Sequence, residues 1–113
     1  LGAKEVKIPT MQEEVYRLAD EYEVNPELAI AIISCEGARY KTLGNNQNHK
    51  NGVWWSEDIG YFQVNDYFHL KTATKMGLDI YDDTDNLEYG IWLLKTQGVR
   101  HWKASAKCWQ KLI

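Results

Sequence analysis

Between Pro9 and Gly37 the apolar positions repeat at helical intervals. Thr10 and Glu13 have the spacing of a capping box, and Val15, Leu18, Ala19 and Tyr22 recur every three or four residues, which predicts a first helix over 11–22. Asn25 supplies an N-cap and Pro26 a first-turn proline for a second helix over 26–36, with Gly37 as its stop. The string ELAIAIISCEG, Glu27 to Gly37, is apolar on nearly every side. That pattern belongs to a helix buried in the middle of a domain, and here it ends on a carboxylate, Glu36.

From Gly37 to Asp58 the periodicity vanishes and the chain turns polar, with turn signals at Gly44-Asn45-Asn46 and Asn51-Gly52; this is a long loop or a short hairpin. Ile59 to Asn65 is short and either extended or turning into a helix. Asp66 is positioned to cap a helix through Met76, which Gly77 stops, and an acidic connector follows. Thr84 or Asp85 caps a further helix to about Thr96, with Leu87, Ile91 and Leu94 as its apolar stripe and Trp92 beside it. A last short helix over 104–111 carries Cys108 and Trp109. The class is mainly helical with little strand. A chain of 113 residues is expected to form a single domain, 1–113, that buries about two thirds of its unfolded surface.

Buried glutamates are rare unless something needs them. Burial and the negative end of a helix both disfavour the carboxylate form, so Glu36 is expected to hold its proton more tightly than usual, as a general acid must. A side chain turned outward at a frayed helix end is the alternative.

Composition narrows the remaining chemistry. A net charge of -3 with no concentration of Lys and Arg argues against a nucleic-acid partner. The longest apolar run, Leu28 to Ile33, is too short for a membrane span. The chain opens on Leu1, which fits a removed signal peptide or a domain cut from a longer protein. His49, His69 and His101 are scattered and not at ligand spacing, so neither a metal nor any other cofactor is expected. Five Trp and seven Tyr against two Phe suit sugar-binding clefts and interfaces, although small cores use them too. Cys35 and Cys108 allow one intrachain bridge, which would imply an oxidising compartment, or else two buried thiols.

Asp58-Ile59-Gly60-Tyr61-Phe62-Gln63-Val64-Asn65 resembles the D-x-G-x-x-Q-x-N segment of lysozymes and of the small lytic transglycosylases of secretion systems and phage particles. The resemblance runs from about Val24 to Trp109. It takes in the helix ending in Glu36, His69, the Met76-Gly77-Leu78 turn, and Asn86-Leu87 with Gly90, which match an N-I/L-x-x-G pattern. The closing Trp102, Ser105, Cys108 and Trp109 form W-x-x-S-x-x-C-W, similar to the tail of a subgroup that also carries cysteine just before the catalytic glutamate.

The resemblance implies a lysozyme-like α+β domain with a central buried helix and a short hairpin or loop lobe. Its partner would be the glycan strands of peptidoglycan, cleaved at the β-1,4 bond between N-acetylmuramic acid and N-acetylglucosamine. Glu36 would be the general acid and base, and the products would carry 1,6-anhydro ends. A hydrolase would also use Asp58, which reads otherwise as a polar cap for the turn before Gly60. A catalytically inactive glycan-binding module is the third reading, since fold does not fix activity. Gly60, Tyr61, Gln63, Asn65 and Trp102 are the expected substrate contacts; for Gln63 and Asn65 the alternative is a satisfied turn network. Asn86, at the start of a helix, reads as a cap, with a bond to the active-site backbone as the alternative. The resemblance also implies a Cys35–Cys108 disulfide and an extracytoplasmic setting: secreted, periplasmic or in a phage particle, within a larger secretion- or phage-associated protein. Two departures stand out. Gly37 follows the glutamate where the family commonly has serine, and the family's frequent Tyr-Asn pair near the end is replaced by the W-x-x-S-x-x-C-W tail.

Overall fold

The computed structural model describes residues 8–37 and 46–113. Helix α1, Met11–Tyr22, starts on Thr10, whose hydroxyl oxygen accepts the Glu13 N–H at 3.2 Å. Helix α2, Pro26–Glu36, starts on Asn25, whose side chain accepts from the amides of Glu27 and Leu28. Both bounds agree with the periodicity. Gly37 ends α2 differently from the expectation, since it stays right-handed with φ of -68° and its amide still donates to Ile33 O at 2.7 Å. The turn expected at Gly44 and Asn45 lies outside the described residues.

A three-stranded antiparallel sheet follows, in the order β1, Asn46–Lys50, then β2, Val53–Ile59, then β3, Val64–Asn65. Asn51 and Gly52 join the first two strands with φ of 54° and 77°, the left-handed pair that a tight two-residue hairpin requires. Helix α3, Asp66–Lys75, is capped by Asn65 rather than Asp66 and ended by Gly77 at φ 78°. Helix α4, Asp83–Gln97, is capped by Asp82 rather than by Thr84 or Asp85, through the Asp85 N–H. The Asp66 side chain is occupied elsewhere, accepting the Glu57 N–H on β2, which leaves the cap to its neighbour. The final segment is a 3-10 turn, Arg100–Ser105, running into a single α-turn, α5, Ala106–Trp109, instead of one helix over 104–111.

The fold is therefore α+β and mainly helical, with a small antiparallel hairpin lobe. Helix α2 packs against α1 and the C-terminal turns. It buries Ala29, Ala31, Ile32, Ile33 and Cys35 but leaves Glu27 and Ser34 outside, whereas α4 buries seven residues including Asn86 and Tyr89. The stripe on α4 is thus broader than its charged first turn suggests. Cys35 and Cys108 form a disulfide with Cα atoms 6.0 Å apart, fastening α5 to α2 beside Glu36. Such a bond marks an oxidising environment. Among the described residues no helix is long and apolar enough to cross a membrane.

Candidate active site

Between the last turn of α2 and the hairpin lobe lies a cleft of about 390 Å³. Glu36 borders it from the helical side and Asp58 from the sheet. The Ser105 hydroxyl, brought in by the C-terminal turn, donates to Glu36 Oε1 at 2.6 Å and also lies 3.1 Å from Trp102 O. Glu36 is half-buried, so it is neither sealed in the core nor turned out into solvent.

On the opposite wall, Asp58 sits in the central strand with Asn46 and Asn65 directly across from it on either side. Asn65 Nδ2 donates to Asp58 Oδ1 at 3.0 Å, and Asn46 Nδ2 reaches Oδ2 at 3.5 Å. Its partners are therefore cross-strand amides and not the backbone of the following turn, because side chains opposite one another on a sheet face stand within reach. Asn65 is fully engaged, since Nδ2 also donates to Ser56 and Oδ1 accepts the Phe68 N–H that starts α3.

The Gly60–Gln63 turn between β2 and β3 is built around Asn86. That side chain is wholly buried, accepts the Phe62 N–H at 3.1 Å and donates to the carbonyls of Ile59 and Ile80, each at 2.9 Å. Asn86 thus bonds the backbone of the site and is not the cap of α4. Gly60 has φ of 69°, and a Cβ there would stand 2.8 Å from the Asn86 side chain. Four residues beyond Asn86, Gly90 leaves the space that the Phe62 ring fills, since a Cβ would overlap that ring. Gln63, itself at φ 50°, donates from Nε2 to Gly60 O at 2.9 Å and lines the cleft.

Of the expected contacts, Glu36, Asp58, Gln63, Asn65 and Trp102 border the cleft. Gly60 and Tyr61 do not; Gly60 lies against Asn86 and Tyr61 packs on the core. Trp102 forms floor, only 3% exposed, its indole N–H donating to Phe62 O at 2.8 Å and its ring 5.4 Å from that of Phe62. Neither Trp54 nor Trp55 borders the cleft.

Two imidazoles complete the wall. His69 and His101, which spacing alone kept apart, meet with ring centroids 5.0 Å apart. His69 Nδ1 is 2.8 Å from the Tyr89 hydroxyl, and His101 Nε2 is 2.6 Å from Gln97 Oε1. Burial, and secondarily the neighbouring His101, push His69 down to about 4. Burial, followed by the charge of Arg100, lowers His101 as well. Both shifts favour the uncharged ring. Their sequence signal was weak: His69 lies within the family resemblance, whereas His101 is marked only by adjoining Trp102.

No Lys or Arg borders this cleft among the described residues. Nor does any group of three or more His, Cys, Asp or Glu there assemble with the geometry to hold a metal ion. What the walls offer is one carboxyl group with a hydroxyl donor, a second carboxylate held by amides, and neutral hydrogen-bonding groups. That set suits an uncharged, hydroxyl- and amide-rich ligand and acid–base chemistry. No protein-family model, curated protein or solved structure matches the chain.

Proposed function

We propose that the protein is a lysozyme-like lytic transglycosylase that cleaves the β-1,4 bond between N-acetylmuramic acid and N-acetylglucosamine in peptidoglycan. The observation that carries this reading is Glu36 at the cleft end of α2, its carboxylate held by Ser105 while amides of the sheet occupy Asp58 across the cleft. In its acid form Glu36 donates a proton to the glycosidic oxygen. The bond from C1 to that oxygen breaks, its electron pair stays on oxygen, and the N-acetylglucosamine end leaves as an alcohol. The Glu36 carboxylate then takes the proton from the muramyl 6-hydroxyl as that oxygen bonds to C1. The anhydro ring closes, Glu36 regains its proton, and no water is consumed. The disulfide suits a secreted, periplasmic or phage-borne setting.

One observation favours a hydrolase as the second reading, namely that Asp58 borders the same cleft as Glu36. Mass spectrometry of muropeptides released from sacculi separates the readings. Anhydro ends are expected; reducing ends would mean a hydrolase, and no release would mean a binding module. Glu36→Gln is expected to keep the fold and lose cleavage by orders of magnitude, because an amide cannot supply the proton. Cleavage by this variant within a few-fold of wild type would remove Glu36 from the reaction.

A further inference from the structure

Helix α3 buries one residue, Ala73, and carries Tyr67 at 70% exposure and Phe68 at 64%. Leu70 on the same helix is exposed as well, so α3 leaves a run of large apolar side chains open to solvent. The Trp55 ring on β2 stands edge-on to Tyr67 and Phe68, with centroids 5.4 and 6.1 Å away. Beside this cluster runs an open groove of about 650 Å³, with Trp55, Tyr67 and Leu70 as its apolar wall and Lys71 and Lys75, one helical turn apart, along it.

The charge in the groove differs from that of the chain as a whole. In a protein of net charge -3, the ion pairs among the described residues involve Arg17 and Lys95, and neither Lys71 nor Lys75 enters one. Asp66 also lines the groove, but its oxygens accept from the Glu57 N–H at 2.9 Å and the Tyr81 hydroxyl at 3.1 Å, at the positive end of α3. The groove thus offers two ammonium groups to an anion. It also adjoins the cleft, because Phe68 borders the cleft while its ring touches both Tyr67 and Trp55.

We propose that this groove binds the carboxylate-bearing peptides attached to the glycan strand whose sugars occupy the cleft. This rests on the peptidoglycan reading above. The aromatic wall takes apolar parts of the peptide, and the lysines pair with its free carboxylates. The groove is shallow, with all of its lining residues but Trp55 on α3, and it continues from the cleft through Phe68, so a chain attached to sugars in the cleft reaches it.

The test uses the whole chain carrying Glu36→Gln, so that bound polymer is not cleaved. Binding is measured by co-sedimentation with intact sacculi and with phosphatidylglycerol vesicles, and in solution by titration with the peptide-free glycan strands that an amidase releases from sacculi. Adding Lys71→Glu and Lys75→Glu is expected to weaken binding to intact sacculi about tenfold and to leave stripped glycan within about twofold. Lys71→Arg with Lys75→Arg is expected to retain binding. Equal affinity of the charge-reversed protein for intact sacculi, equal losses on both polymers, or absence of sacculus binding would each overturn the proposal. Vesicle binding that disappears with the lysines would assign the groove to a membrane surface instead. Muropeptide release by the wild-type chain is scored separately, so loss of the cleavage reading and loss of the groove reading are distinguishable.

Discussion

Ser105 donates its hydroxyl to Glu36 Oε1 at 2.6 Å across 69 positions of sequence. The residue after Glu36 is Gly37, which brings no hydroxyl of its own, so this donor comes from the C-terminal turn. The Cys35–Cys108 bond holds that turn against α2. Ser105 is therefore a positioning residue for the proposed acid. Ser105→Ala is expected to lower kcat about tenfold with little change in KM and a retained fold. Ser105→Thr should restore most of the loss. A compensating rise in KM with unchanged kcat would mean that Ser105 contacts substrate instead of holding Glu36.

The turn that carries Gln63 into the cleft depends on Gly60 fitting over Asn86. Asn86→Ala would strip partners from the Phe62 N–H and from the carbonyls of Ile59 and Ile80, all in the interior. A cost of about 3 kcal/mol or more is expected. Gly60→Ala adds a Cβ at a left-handed φ and directly against the Asn86 side chain, for about 2 kcal/mol or more. Urea unfolding midpoints measure both. Changes below about 0.5 kcal/mol, the range of ordinary surface substitutions, would refute this account of the turn.

Features coded by neighbouring residues were legible in the sequence. The caps on Thr10 and Asn25 act on amides two or three residues away, so the bounds of α1 and α2 follow from local spacing. The Asn51-Gly52 hairpin is legible for the same reason. Asn86 misled because an asparagine near a helix start reads as a cap, while its actual partners Ile59 and Phe62 lie 27 and 24 positions away. The cap of α3 moved from Asp66 to Asn65 because a bond to β2, nine positions back, claims Asp66. In the candidate site, Glu36, Asp58 and Gln63 were named from sequence and do border one cleft. The His69–His101 contact and the Ser105 bond arise only when α3, α2 and the C-terminal turn come together.

Stability is expected to depend on His69 at acid pH. The unfolded ring titrates near 6.5 and the folded ring only near about 4, so between those values the unfolded chain binds more protons. Stability is full above pH 6.5 and falls as the pH drops toward 4, and the lowered His101 acts in the same direction. For a half-buried ring the loss is roughly 1 to 2 kcal/mol after solvent screening. Denaturation at pH 7 and at pH 4.5 should cost the wild type more than His69→Gln, which has no such proton to bind. Equal losses in the two proteins would exclude His69 as the cause.

Asp58 distinguishes the two reactions, and its neighbours indicate how it will respond to substitution. Asn65 cannot turn its amide over, because Oδ1 is committed to the Phe68 N–H and Nδ2 must face Asp58 and Ser56. Asn46 is held more loosely, at 3.5 Å from Asp58 and 3.4 Å from Asn48. Under Asp58→Asn, the introduced amide can keep its oxygen toward Asn65 and direct its NH₂ at Asn46, which can reverse and accept by giving up its long bond to Asn48 Oδ1. The sheet should survive the loss of that weak bond, at a cost of about 1 kcal/mol. If Asp58 serves to hold this wall of the cleft, cleavage should fall only a few-fold and anhydro ends should persist. A hydrolase needs the charge itself to stabilise or trap the oxocarbenium-like carbon, so the same variant would lose activity by orders of magnitude. Muropeptide spectra and urea unfolding on the one protein decide between them: abolished cleavage with an intact fold replaces the transglycosylase reading with the hydrolase.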